Sequence, residues 1–328
     1  MSTQVASTDG LPGVPGDYHG RPTRRLESAH CWVEVLAGGG PRIVGFGLRG
    51  EPNLLSETPQ VSWDAGHGLF ELLGGHRLWF APETPECSVP DSTGLTLAAI
   101  TARAIAADAT AVAGLGIRLV GAVEGPTGLR KTIEVRLDPG SAAVSLRHTF
   151  ANEGSRIFEL SPWPITQLRT GGVATVELPA PIVEHVVKPN RLLVLWPYAA
   201  WSDDRLEIGE RSLTVTARPG RPFKVGCLSR TGEVGYLREG VLFTKRFDPA
   251  ADAPHPDLGC NVEIYCDESS IELESLAPLV RLGPGESVSH DERWELRRVG
   301  ATNLGDRVTP RAHDVRLRNP SPPSRKAK

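Results

Sequence analysis

The sequence predicts an all-β protein, a large sandwich of antiparallel sheets. Three features carry that reading. The 328 residues include 35 glycines and 28 prolines, far too many for a helical protein. Short runs rich in β-branched and aromatic residues recur between turn clusters, at a spacing of roughly 8–15 residues. No fixed-length repeat is visible, which argues against a propeller or solenoid. In chain order the runs are CWVEVL, RIVGFGL, LTLAAITARAI, GIRLVGAV, KTIEVRL, AAVSLRHTF, VATVELP, RLLVLWPY, SLTVTA, FKVGCLS, GEVGYL, VLFTKRF, NVEIYC, SIELESL and RWELRRV. Residues 102–113 also read as helix, although their Thr and Ile content keeps strand open. The glycines at 38–40 read as a hairpin turn, and Gly283-Pro284-Gly285-Glu286 as a tight turn between two closing strands.

The organisation expected is a disordered N-terminal arm over residues 1–28, a sandwich domain over 29–300, and a Pro/Ser/basic tail over 301–328. A net charge of −3 gives no electrostatic case for nucleic acid or an anionic membrane. The N-terminus lacks a charged region followed by an apolar run, so no secretory leader is expected. No apolar stretch approaches the ~18 residues of a membrane span. The five cysteines are odd in number and scattered without a CxxC pair, which speaks against a disulfide framework or structural zinc. Reduced thiols in a cytoplasmic protein are expected. No GxSxG, Walker loop, GxGxxG or metal-ligand spacing is present, so neither cofactor nor metal is called for. The oligomeric state is left open.

The segment Leu72–Glu83, LLGGHRLWFAPE, concentrates functional side chains. Its paired glycines let a backbone approach a neighbour or ligand closely. His76 can move a proton near neutral pH, and Trp79 offers a flat apolar face with a polar edge. Arg77 and Glu83 complete a set suited to a sugar pocket, though a plain strand turn fits as well.

The second informative region is 261–276. With a loop at 267–270, strand alternation places Ile264 opposite Leu273, Tyr265 opposite Glu272, and Glu263 opposite Glu274. Three carboxylates then share a patch. Like charges directly opposed are destabilising, and one tends to keep its proton. The plain alternative is a solvated acidic face. Lys245 shares a face with Phe243 and Phe247, and either neutralises the patch, binds a substrate hydroxyl or snorkels. Trp163, between two prolines, reads as a rigid stacking platform on a loop or as a core anchor. Trp196 and Tyr198 are candidates for the same cleft, Asp203 and Asp204 for a turn. His148 lies on the face of Val144, Leu146 and Phe150 and reads as a core histidine. Trp294 reads as core.

Three stretches together resemble the galactose mutarotase-like superfamily: VEVLAGGGPRIVGFGLRGEPNLL, GGHRLWFAPE and the closing SIELESLAPLVRLGPGESVSHDERWEL, which is similar to the last strands of aldose 1-epimerases. The match runs from about Ala29 to Val299 and looks closest to a bacterial branch apart from the true galactose mutarotases. The resemblance implies a twisted antiparallel β-supersandwich whose open face binds a carbohydrate. It implies that Glu272 or Glu274 is the general base and that His76 is a histidine of the first motif. The family's second histidine, in a His-Pro-Tyr segment, has no counterpart here, where Pro162-Trp163-Pro164 stands.

The first functional expectation is an aldose epimerase-like enzyme. Glu272 or Glu274 takes the anomeric proton, and His76 or Lys245 protonates the ring oxygen. Arg77, Trp79, Glu83, Trp163, Trp196, Lys245, Glu263 and Tyr265 hold the substrate, a small-molecule carbohydrate. The second is a carbohydrate-binding protein without catalysis, which accounts for the tryptophans at 79, 163, 196 and 201 and the missing histidine. A polysaccharide lyase ranks last, because no basic groove or helical domain is visible.

Overall fold

The computed structural model describes residues 10–100, 115–179 and 189–300. A meander opens the chain: β1 (Val14–Tyr18), β2 (Arg21–Glu27), β3 (Cys31–Leu36) and β4 (Ile43–Leu48). The hairpin β5 (Glu57–Asp64) and β6 (Leu69–Gly74) leads into β7 (His76–Ala81). Next come β8 (Thr96–Ala99), β9 (Gly116–Val123), β10 (Leu129–Leu137), β11 (Ala143–Asn152) and the long β12 (Phe158–Arg169). β13 (Val173–Glu177), β14 (Leu193–Leu195), β15 (Leu206–Ile208) and β16 (Ser212–Thr216) follow. The chain continues with β17 (Phe223–Cys227), β18 (Glu233–Arg238), β19 (Val241–Phe247), β20 (Val262–Cys266), β21 (Ser270–Ser275), β22 (Val280–Leu282) and β23 (Ser287–Arg298).

Two large antiparallel sheets result. The first runs β1-β2-β3-β4-β7-β12-β21-β20-β17-β14, with β22 also paired to β12, and the second runs β15-β16-β13-β18-β19-β23-β11-β10-β9-β8. Aromatic contacts between them identify the interior. Phe46 of β4 lies 6.2 Å from Phe243 of β19 and 5.6 Å from Trp294 of β23, and Phe80 of β7 lies 6.1 Å from Phe150 of β11. One hydrophobic cluster spans both sheets, as expected for a sandwich. Trp294 belongs to it, as the sequence indicated. All five cysteines are buried as free thiols. Among the described residues no helix is long and apolar enough to cross a membrane.

The disordered arm expected over residues 1–28 is corrected from Val14 onward. Gly13 and Gly20, both at φ +82, permit the turns that fold this Gly/Pro-rich stretch back. Tyr18 then buries against Leu36, Val44 and Leu73, with its hydroxyl donating to the Leu73 carbonyl. Pro15 is tolerated because β1 is an edge strand. The tail over 301–328 and the segment 102–113 lie outside the described residues.

The segment around Trp163 is also corrected, from loop to central strand. Two prolines fit there because β22 pairs only through Leu160 and β21 only from Ile165. The carbonyls of Pro162 and Pro164 point into that gap, taking the Ala277 N–H at 3.1 Å and the Lys245 ammonium at 3.4 Å. Their nitrogens, which have no hydrogen to donate, point the same way.

Candidate functional site

Strand alternation divides the middle of the first sheet into two polar clusters. On β7, His76 and Phe80 face the second sheet, whereas Arg77 and Trp79 face outward. Gly74 and Gly75 set this up: both have positive φ, and a Cβ on either would strike the carbonyl of Ser56 or Ile43. On β12, Trp163 pairs with Trp79, Ile165 with Arg77 and Glu274, and Gln167 with Glu272. The β20–β21 register sets Glu263 against Glu274, Ile264 against Leu273 and Tyr265 against Glu272, as the hairpin reading required. On β17, Lys224 lies opposite Tyr265.

The outer face is therefore aromatic and acidic, but not solvated. Glu263 and Glu274 are fully buried and Glu272 is 8% exposed. The Arg77 guanidinium donates to Glu272 Oε1 at 3.1 Å and lies 4.5 Å from the Trp79 ring centre. Trp163 Nε1 donates to Glu274 Oε2 at 2.7 Å. The Lys224 ammonium is 2.8 Å from Glu274 Oε2 and 2.7 Å from Glu263 Oε2, sandwiched 4.6 Å from each of the Trp163 and Trp196 rings. Trp79 and Trp163 meet nearly edge to face at 5.7 Å. Several buried polar atoms here have no partner: Nε and Nη1 of Arg77, Oε1 of Gln167 and Oε1 of Glu274. Unpaired buried polar groups cost roughly 1–3 kcal/mol each, so their accumulation on one face calls for an explanation. Asp257 and Leu258, near Glu263, sit at φ +49 and +62, a left-handed conformation unusual for non-glycine residues.

The acids perturb one another. Burial pushes Glu263 well above the ordinary carboxylate range, with Glu274 and Asp257 adding to a rise that Lys224 opposes. Burial raises Glu272 against Arg77, and Glu274 adds to it. Burial likewise raises Asp257, and Glu83 at the rim, where Glu274 contributes to both. Burial alone would lower Lys224, but Glu274 and Glu263 raise it, so it stays charged. Tyr198, half exposed, is raised by burial and feels Lys224 and the acids.

The inner cluster is of another kind. His76 Nδ1 lies 2.9 Å from Thr166 Oγ1, and its Nε2 lies 2.7 Å from Nε2 of His148. His148 Nδ1 lies 3.1 Å from the His290 carbonyl, which can only accept. With both rings neutral, His148 carries its proton on Nδ1, His76 carries its own on Nε2, and Thr166 donates to His76. Ser275 Oγ donates to Glu292 Oε1 at 2.5 Å and accepts from His290 Nε2 at 2.9 Å. Glu292 also holds the Lys245 ammonium at 3.0 Å and the Trp294 N–H at 2.8 Å. Burial lowers the pKa of His76, His148 and His290, the last to about 4. Glu292 is lowered despite its burial by Lys245 and the histidines. The ligand atoms of His76, His148 and Glu292 lie within 4.8 Å of one another, yet each is already satisfied by hydrogen bonds or by Lys245.

The predicted site is thus partly assembled. Arg77, Trp79, Trp163, Trp196, Glu263, Tyr265, Glu272 and Glu274 meet on the outer face, with Glu83 at its rim. Two expectations are corrected. His76 is fully buried behind the sheet, and Lys245 is equally buried, held by Glu292 and the Leu273 carbonyl at 2.9 Å. Neither reaches the outer face, so neither protonates a ligand there. His148 is the core histidine expected. Trp201 is 73% exposed on the turn beyond Tyr198. Sequence reasoning missed Lys224, Gln167 and Asp257. The signal for Lys224 was a lone cation inside the apolar run FKVGC.

No family model matches this chain, and no curated protein matches it in sequence. Solved structures match in fold. A TPR-domain containing protein from Parabacteroides distasonis superposes with a TM-score of 0.59 at 12% identity, over 91% of this chain and 50% of its own length. The chain therefore spans half of that protein. A candidate mutarotase from Salmonella typhimurium gives 0.57 at 9% identity, covering 88% of this chain and 97% of its own. A candidate aldose 1-epimerase from Klebsiella pneumoniae gives 0.50 at 11% identity, covering 86% and 80%. The architecture is accordingly an antiparallel β-sandwich, similar in fold to the candidate mutarotase and aldose 1-epimerase structures.

Proposed function

We propose that the outer face of β7, β12, β21, β20 and β17 binds a carbohydrate, and does so without opening the sugar ring through a histidine. The observation that carries this reading is the set of unpartnered donors and acceptors on Arg77, Gln167 and Glu274 beside the Trp79 and Trp163 rings. Vicinal hydroxyls donate and accept at once, and sugar C–H faces stack on aromatic rings, so a polyol satisfies both features. The fold likeness to a candidate mutarotase and a candidate aldose 1-epimerase supports the same ligand class. The burial of His76 behind the sheet favours binding over the ring-opening mechanism that the sequence suggested.

A second reading has one observation in its favour. Glu263 retains a proton readily beside Glu274, so a carboxylic acid and a carboxylate could replace the usual histidine and glutamate in anomerisation. Calorimetry and polarimetry on a panel of aldoses separate the two. The binding reading expects saturable heat and anomerisation at the buffer rate. Catalysed anomerisation lost in Glu263→Gln establishes the second. Absence of saturable binding across the panel contradicts both.

A further inference from the structure

We propose that the preferred ligand is positively charged, an amino sugar with a protonated amine, which rests on the carbohydrate reading above. Five carboxylates gather at this face: Glu83, Asp257, Glu263, Glu272 and Glu274. The cations opposing them are Arg77, committed to Glu272, and Lys224, shared between Glu263 and Glu274. Carboxyl groups thus outnumber cations, in a region lined by Trp79, Trp163 and Trp196.

The cluster is not a solvated acidic patch, because Glu263, Glu272 and Glu274 are buried and some of its polar atoms lack partners. Glu274 is fully enclosed, yet its Oε1 accepts from nothing, and Gln167, 2% exposed, leaves its own Oε1 free. Both oxygens are acceptors on the face of β12 and β21 that carries the tryptophans, and neither receives a donor from the protein. The walls already suit an ammonium: Lys224 Nζ rests between two indole rings at 4.6 Å. A phosphorylated or uronic sugar would bring a further anion into this surplus, at a distance where repulsion is weakly screened. A neutral sugar would leave those acids to hold protons instead. An ammonium compensates the surplus, and in doing so displaces the protons that crowded, buried acids retain.

Titration calorimetry on the intact chain at pH 7 tests this, using matched sets of 2-amino-2-deoxyhexose, parent hexose and hexose 6-phosphate in gluco, galacto and manno configuration. Repeating each titration in two buffers of different ionisation enthalpy reads protons released. The expected result is an amino sugar binding at least ~10-fold more tightly than its parent, the phosphate weakest, with net proton release on binding of the amine. Asp257→Asn and Glu83→Gln, at the more exposed rim, should each narrow the ratio while the unfolding midpoint stays near that of the wild type. A parent sugar or phosphate that binds as tightly as the amine overturns the charge inference and leaves the carbohydrate site standing. Silence from every member of every set overturns the carbohydrate reading and this inference with it.

Discussion

Behind β21, Ser275 sits in a chain of hydrogen bonds running from Thr166 through three histidines to Glu292, Lys245 and Trp294. In front of it, Glu272 and Glu274 face three further acids, two cations and several polar atoms with nothing to bond. Both clusters are buried, and they share strands. The inner one has neutral histidines of fixed tautomer and a carboxylate with three donors, which is how a buried polar network stabilises a fold. The outer one keeps acids opposed and polar atoms unpaired, which is costly to stability. Two polar clusters of similar burial thus differ in partner satisfaction, and the carbohydrate proposal rests on that difference.

That contrast can be broken by substitution and by pH. The largest expected effect is on the inner face. Lys245→Met strands a buried Glu292 and should lower unfolding free energy by about 3–5 kcal/mol, read as the urea midpoint. A change below ~1 kcal/mol would mean that the inner pair is not holding the sheets together.

Acid should act next. The folded-state pKa of His290 is depressed to about 4 from 6.5, so the unfolded chain binds more protons in between. Stability from that residue is complete above pH 6.5 and is lost as pH falls toward 4, by roughly 3 kcal/mol. His76 and His148 shift in the same direction and add to the loss. The outer acids act with the opposite sign. Glu263 and Glu272 are raised in the folded state, so their contribution is complete below the unfolded carboxylate pKa and is lost as pH rises through the folded values. Denaturant midpoints measured from pH 4 to 9 should therefore fall at both ends, and Glu263→Gln should flatten only the alkaline limb.

Thr166→Val sharpens the comparison. It removes the donor to His76 Nδ1 and should cost about 1–3 kcal/mol while leaving sugar binding untouched. The smallest stability effect belongs to Glu263→Gln at pH 7. Glutamine resembles the protonated acid that burial favours there, so stability should stay within about 1 kcal/mol of wild type, or rise, while the ligand binds more weakly.

Much of this was legible in the amino-acid order. The 261–276 hairpin could be registered because Ile264 and Leu273 need a core and the glutamates do not, and the pleat fixes the rest. The side taken by His76 was not legible. In HRLWFA both faces are apolar, with Trp79 outward and Phe80 inward, so alternation alone does not say which is the interior. The prolines beside Trp163 hid a central strand, because the gap between β21 and β22 that accommodates them is a tertiary feature. The first two strands, β1 and β2, were hidden by their turn glycines and edge proline, and the burial of Tyr18 that holds them depends on Leu36, Val44 and Leu73. Lys224 enters the site only through pairing of β17 with β20, a contact between segments that local pattern does not link.

The claim that the outer face alone is built for a ligand is tested most directly by titrating the best-binding sugar of the panel into three proteins: wild type, Glu274→Gln and Thr166→Val. The account predicts saturable heat for the wild type and Thr166→Val, and at least ~10-fold weaker binding for Glu274→Gln. Equal binding by all three, or equal loss in both variants, would contradict it.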